Sequence, residues 1–163
     1  MITLDITPEQ LKRAEEHFAF GVLNNSIMHG ESNIYGALGE ILVADYYRNF
    51  GFTVDMESTY DYDLIIENKK IDVKSKKTTV IPCGHYNCSV ASYNTKQKCD
   101  AYFFVLINEE KTKGYLLGLM PKKKFFAEAT FNKKGEVDPQ GNGWKFRADC
   151  YNLAISKLLK PKK

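Results

Sequence analysis

No apolar run in the 163-residue sequence approaches the roughly 20 residues that span a bilayer, so no transmembrane helix is expected. The first residues, MITLDITPEQ, lack the basic stretch and apolar core of a secretory signal, and the expected location is cytoplasmic. Cysteine is sparse, with four residues at 83, 88, 99 and 150, which in a cytosolic chain argues against a disulfide framework. Histidine is sparser still: His17, His29 and His85 fall at no spacing that marks a general base. Cys83, His85, Cys88 and Cys99 could supply four zinc ligands as C-x-H-x2-C-x10-C, but they lack the paired knuckles of the strong zinc signatures. Internal repeats, low-complexity blocks and interdomain linkers are all missing, and the expectation is one domain.

What is there suits a globular chain, with 44% hydrophobic and 13% aromatic residues. The net charge of +3 hides an asymmetry: residues 121–163 carry eleven Lys and Arg against four Asp and Glu, a balance of +7. The remaining 120 residues therefore sum to −4. An acidic locus joined to a basic region suits a metal site acting on a polyanion; a solvated, lysine-rich surface would read the same way.

Thr7, Pro8 and Gln10 form a helix start with a capping box, followed by an amphipathic helix over residues 11–23 and a loop over 24–30. Ser32 or Asn33 caps a second helix over 34–49, which Gly51 ends. Glu40 stands off its main apolar stripe among Gly36, Ala37, Val43, Ala44 and Tyr47, mostly small neighbours that would let its carboxylate approach a sheet. Residues 52–56 read as a strand, 80–93 as an irregular extended stretch, and 101–107 as a continuous apolar run buried on both faces. A strand over 115–120, a helix over 122–129, a loop over 133–143 and an edge strand over 149–155 complete the chain. The order predicts an α/β fold with a central mixed sheet flanked by helices. Its parts are a helical segment at about 7–49, a motif-bearing sheet core at about 52–120 and a basic segment at 121–163.

The segment YDYDLIIENKKIDVKSK, residues 60–76, places acids and lysines on a hairpin. A two-residue loop at Asn68-Lys69, or a four-residue loop, sets Asp63 opposite Lys74 and diagonal to Asp72; a three-residue loop would destroy that register. Asp63 and Asp72 then lie ~7–8 Å apart on the face that carries Lys74. Two such carboxylates repel unless a cation lies between them, and magnesium takes one or two carboxylates with several waters. A metal and a lysine there form a plausible centre for phosphodiester hydrolysis. An exposed strand face with cross-strand ion pairs would use the same residues.

The combination of Glu40 in GALGEILVADYY, Asp63 in YDYDLII, and Asp72 with Lys74 in IDVKSK resembles the PD-(D/E)XK, or restriction-endonuclease-like, nuclease superfamily. Order and spacing match over residues 33–107, with Tyr62 where the family name has proline and Asp72 as the second acid. The resemblance implies a restriction-endonuclease-like core. It implies that Glu40, Asp63 and Asp72 hold Mg2+, or Mn2+ in its place, aided by the Val73 carbonyl, while Lys74 assists the attacking water. Asp61 shares the face of Asp63 and competes for the first acidic role; Asp63 is preferred.

Lys76 continues the face of Asp72 and Lys74, and Tyr93, Asn94, Lys96 and Lys98 sit where this kind of fold approaches its substrate. Trp144 is read as a core or edge anchor. The leading expectation is a Mg2+-dependent deoxyribonuclease, an endonuclease or junction resolvase of small phage type in a bacterial or phage-infected cell. DNA is the expected partner, family analogy suggests a homodimer, and no organic cofactor is expected. A catalytically inactive nuclease fold serving as a nucleic-acid-binding or protein-interaction module is the alternative. A zinc-stabilised structural protein is the third reading.

Overall fold

This computed structural model describes residues 1–23, 32–57, 59–139 and 143–161, without the side chains of 18–23 and 32–33. The loop expected at 24–30 lies outside them, as do the side chains of the cap candidates Ser32 and Asn33.

Strand β1 (Ile2–Asp5) opens the chain, where no strand was expected, and pairs with a strand over one hundred residues away. Helix α1 (Pro8–Leu23) starts on the capping box: Gln10 N–H donates to Thr7 Oγ1 at 3.2 Å and Thr7 N–H to Gln10 Oε1 at 3.1 Å. Helix α2 (Ser32–Asn49) is joined to it by Arg13, whose guanidinium donates to both oxygens of Asp45 at 2.9 and 3.1 Å. Gly51, at φ +80°, turns the chain out of α2.

The next elements are β2 (Val54–Met56), β3 (Leu64–Ile66), β4 (Lys69–Thr78) and β5 (Asn87–Ala91). They are followed by β6 (Ala101–Asn108), β7 (Lys113–Pro121), α3 (Lys122–Glu128), β8 (Thr130–Asn132) and β9 (Cys150–Ala154). Six strands form a curled mixed sheet in the order β1-β7-β6-β4-β3-β2, in which only β4 and β6 run parallel. A second, three-stranded antiparallel sheet has the order β5-β9-β8. The strand expected at the edge over 149–155 is thus the middle of this small sheet, because β5 and β8 pair with its two sides.

The large sheet is covered on both faces. Ile71, Val73, Phe103, Val105 and Ile107 pack with Leu38, Ile41 and Leu42 of α2 in one core. The alternate residues Tyr102 and Phe104 join Phe125 of α3 and Val90 and Leu153 of the small sheet in a second core. The run 101–107 is the doubly buried interior strand that its composition predicts. Among the described residues no helix is long and apolar enough to cross a membrane.

The β3–β4 hairpin differs from expectation. Ile66 pairs with Lys69, Ile65 with Lys70 and Leu64 with Ile71, so the two-residue turn is Glu67-Asn68. Both turn residues have positive φ, 47° and 63°, as a type I′ hairpin turn requires at both centres. Asparagine is at ease there; glutamate is not. Glu67 is held by Thr53, whose N–H donates to Glu67 Oε1 at 2.8 Å and whose carbonyl accepts the Glu67 N–H at 3.2 Å. The register moves by two residues, so facing is preserved, but Asp63 comes level with Asp72 instead of Lys74.

Candidate functional site

Strand β3 is short, and this makes the site. The ladder to β4 stops at Ile71, where the carbonyl accepts the Asp63 N–H at 3.0 Å, while β4 runs on to Thr78. At the first open position of β4 the Asp63 side chain replaces a strand: its Oδ2 accepts the Val73 N–H at 2.7 Å. Asp72 and Lys74 lie on the face of the small sheet, and Glu40 is carried by α2 on the opposite face.

Glu40 is delivered by a close helix–strand contact. A Cβ on Gly39 would lie 1.8 Å from Ser75 Oγ and 2.9 Å from Ser75 Cβ, so α2 can touch β4 here only through glycine. The small neighbours noted around Glu40 thus have a counterpart at the residue directly before it. Glu40 Oε2 lies 3.6 Å from His17 Nε2 on α1, and this pairing raises the imidazole pKa, against the opposing effect of burial. His17 is a neighbour of the site that sequence spacing did not reveal, since α1 and α2 meet only in the folded chain.

Asp72 is 2% exposed. Its Oδ1 accepts a 2.7 Å hydrogen bond from Gln97 Nε2, and its Oδ2 stands 2.6 Å from Lys74 Nζ. The lysine contact is a close, buried ion pair. Burial raises the pKa of Asp72, and the Lys74 charge opposes the rise. Asp63 is pushed up to about 8, first by burial, then by the charge of Glu40 and then by that of Asp72. Asp63 thus feels the charges of both other acids. Among the described residues, however, no three His, Cys, Asp or Glu side chains stand close enough to ligate one ion.

Gln97 and Lys122 belong to the site and were not foreseen. Gln97, 5% exposed, donates to Asp72 and to the Tyr60 carbonyl at 2.8 Å, and accepts from Lys74 Nζ at 3.2 Å. It ties the second acid to the lysine. Lys122 donates to the Gln97 carbonyl, and its charge opposes the raised pKa of Asp72. A glutamine between Lys96 and Lys98 gives no signal of this in sequence. Asp61 is engaged elsewhere, accepting the Lys98 N–H at 3.0 Å.

A cleft of ≈ 1160 Å³ opens beside these groups between the large and small sheets. Lys74, Lys76, Tyr93 and Asn94 line it, whereas Lys96 and Lys98 are exposed away from its walls. Lys76 is solvent-exposed yet closely surrounded by protein, because its solvent is the cleft; this enclosure lowers its ammonium pKa, with Cys150 and Cys88 opposing. Trp144 is not a core anchor. It is 48% exposed, lines the cleft, and carries the Arg147 guanidinium 5.0 Å from its ring centre.

The cysteines are dispersed. Cys83 is exposed, Cys88 Sγ donates to the Leu153 carbonyl at 3.0 Å, and Cys99 interacts with Tyr102. His85 packs edge-on against Tyr86.

No protein-family model and no curated protein matches the chain.

Proposed function

We propose that the chain is a divalent-metal-dependent deoxyribonuclease that hydrolyses phosphodiester bonds, with the restriction-endonuclease-like arrangement of the PD-(D/E)XK superfamily. The observation that carries this reading is the gap at the end of β3. There Asp63 stands level with Asp72, Glu40 charges it from the helix side, and Lys74 lies 2.6 Å from Asp72. A strand face needing only surface polarity has no use for an acid that burial and two like charges push up to about 8.

The residues suit a hard cation. Mg2+ uses one or two carboxylates and fills its remaining positions with water and substrate phosphate, so Asp63 and Asp72, with the Val73 carbonyl, suffice without a third acid in direct contact. Burial and the charges of Glu40 and Asp72 all raise the Asp63 carboxyl, an anionic locus that a bound cation would relieve. Mg2+ or Mn2+ would supply a polarised phosphoryl oxygen and a more acidic water.

The chain supplies the rest. Asp63 is fixed by the Val73 N–H and Asp72 by Gln97, so neither carboxylate must reorganise. Lys74, held by Asp72 and Gln97, presents its ammonium to the attacking water or to charge developing on phosphorus. The water oxygen bonds to phosphorus, one P–O ester bond breaks, and the leaving oxygen takes a proton.

The test is cleavage of supercoiled plasmid and a synthetic four-way junction with Mg2+, Mn2+ or chelator, beside Asp72→Asn and Lys74→Ala. Metal-dependent cutting lost in both variants supports the reading, and the junction reports whether branching matters. Folded protein that binds DNA but cuts with neither metal would make the chain a nuclease-fold binding module.

A further inference from the structure

We propose that the cleft between the two sheets takes an unpaired polynucleotide strand, with bases stacking on Trp144 and Tyr93 and the backbone running past Lys76 and Lys74. This deepens the nuclease reading by naming the form of substrate, and only the last step, delivery of a phosphate to the carboxylates, rests on that reading.

Continuity is the first argument. Asp72, Lys74 and Lys76 alternate along one face of β4, so the cationic wall begins at the acidic gap and leads away from it at roughly 7 Å per pair of residues. Chemistry is the second. Tyr93 is 65% exposed and Trp144 48% exposed, both rings line the cleft, and Arg147 lies over the indole. Large rings and cations interleaved along a groove are what sequence-tolerant single-strand binding uses, because every base has a face to stack and every nucleotide a phosphate. Lys74, Lys76 and Arg147 outweigh Asp138, the one acid among the described residues on the walls, so the groove favours an anion.

Depth favours an unpaired strand over a duplex: Asp72 is 2% exposed, and a splayed strand can descend to it more easily than a phosphate held on a rigid duplex.

Trp144 is the chain's only tryptophan, so its fluorescence reports this cleft directly. The experiment titrates the full chain in chelator, where no cutting occurs, with oligo(dT), oligo(rU) and a blunt hairpin duplex of equal length. Single strands are expected to quench Trp144 saturably and to bind at least about tenfold more tightly than the duplex; comparing dT with rU assigns the sugar. By anisotropy of a labelled strand, Tyr93→Ala and Arg147→Ala, each checked for fold by circular dichroism, should each weaken binding by about five- to tenfold. Absence of quenching, duplex binding as tight as single-strand binding, or unchanged affinity in both folded variants overturns the proposal. The two readings fail separately. Single-strand quenching without metal-dependent cutting would remove the nuclease and leave the cleft, whereas cutting without quenching would do the reverse.

Discussion

Gly39 of α2 and Ser75 of β4 are in such close contact that a Cβ on the glycine would stand 1.8 Å from the serine hydroxyl oxygen. This is the point at which the helix is seated on the sheet, and the next residue is Glu40. Gly39→Ala should therefore lift α2 and cost ~1–3 kcal/mol, the usual penalty of overpacking. Urea denaturation measures it. Ser75→Gly, which removes both close atoms, should recover part of the loss in the double variant; additive losses would mean that the two residues do not meet.

Gln97 is expected to be a positioning residue. Gln97→Ala leaves the Asp72 Oδ1 and Tyr60 carbonyl acceptors without their donor, at a cost of ~1–3 kcal/mol. Plasmid cleavage should fall with kcat more affected than KM, since Lys74 and Asp72 lose their shared tether. Gln97→Glu should be no better, because it adds a charge beside a buried acid. Full activity in the alanine variant would show that Asp72 is held without Gln97.

Stability in chelator should fall as pH rises. Asp63 moves from an ordinary 3.8 in the unfolded chain to about 8 in the fold, so the folded state keeps a proton that the unfolded state releases. Its favourable contribution is complete below about 4 and is lost as pH climbs through about 8. Asp72, also raised, acts in the same direction. The denaturation midpoint should drop between pH 5 and pH 8.5, and less so in Asp63→Asn. Added Mg2+ should restore part of the drop in the parent and little in the variant. Parallel curves for parent and variant would rule out Asp63 as the titrating group.

Thiol chemistry separates the cysteines. Cys83 is exposed, whereas burial pushes Cys88 up to about 12 and Cys99 up to about 11. One thiol per native chain should react promptly with a disulfide reagent, rising to all four cysteines only after denaturation. Cys83→Ser should abolish the fast phase. Tightly held zinc in dialysed protein, with Cys83 protected, would revive the zinc-stabilised reading.

Local signals made several of these features legible. The capping box at Thr7, the apolar run of β6 and the alternation of Asp72 and Lys74 are each encoded within a few residues, and each is present in the fold. The turn was misplaced because its residues are Glu67 and Asn68, and a glutamate at φ 47° is sustained by Thr53, fourteen positions away. Gln97, Lys122 and His17 were invisible for a related reason: each approaches an acid from an element remote in sequence, and none is unusual in its own surroundings. Trp144 sits in a glycine-rich segment whose pattern gives no facing, so only the fold places it in the cleft.

The open side of β4 has a second implication. A strand that runs seven residues beyond its partner's ladder offers bare amides and carbonyls to any other extended chain. Lys74, Lys76 and Lys77 crowd that margin with charge, and Asp63 occupies its first amide. The groups suited to chemistry thus also keep the molecule from zipping onto its neighbours. Replacing them with valine or isoleucine would create a sticky border as well as a silent centre, and inactive variants made that way should precipitate where asparagine and glutamine replacements stay in solution.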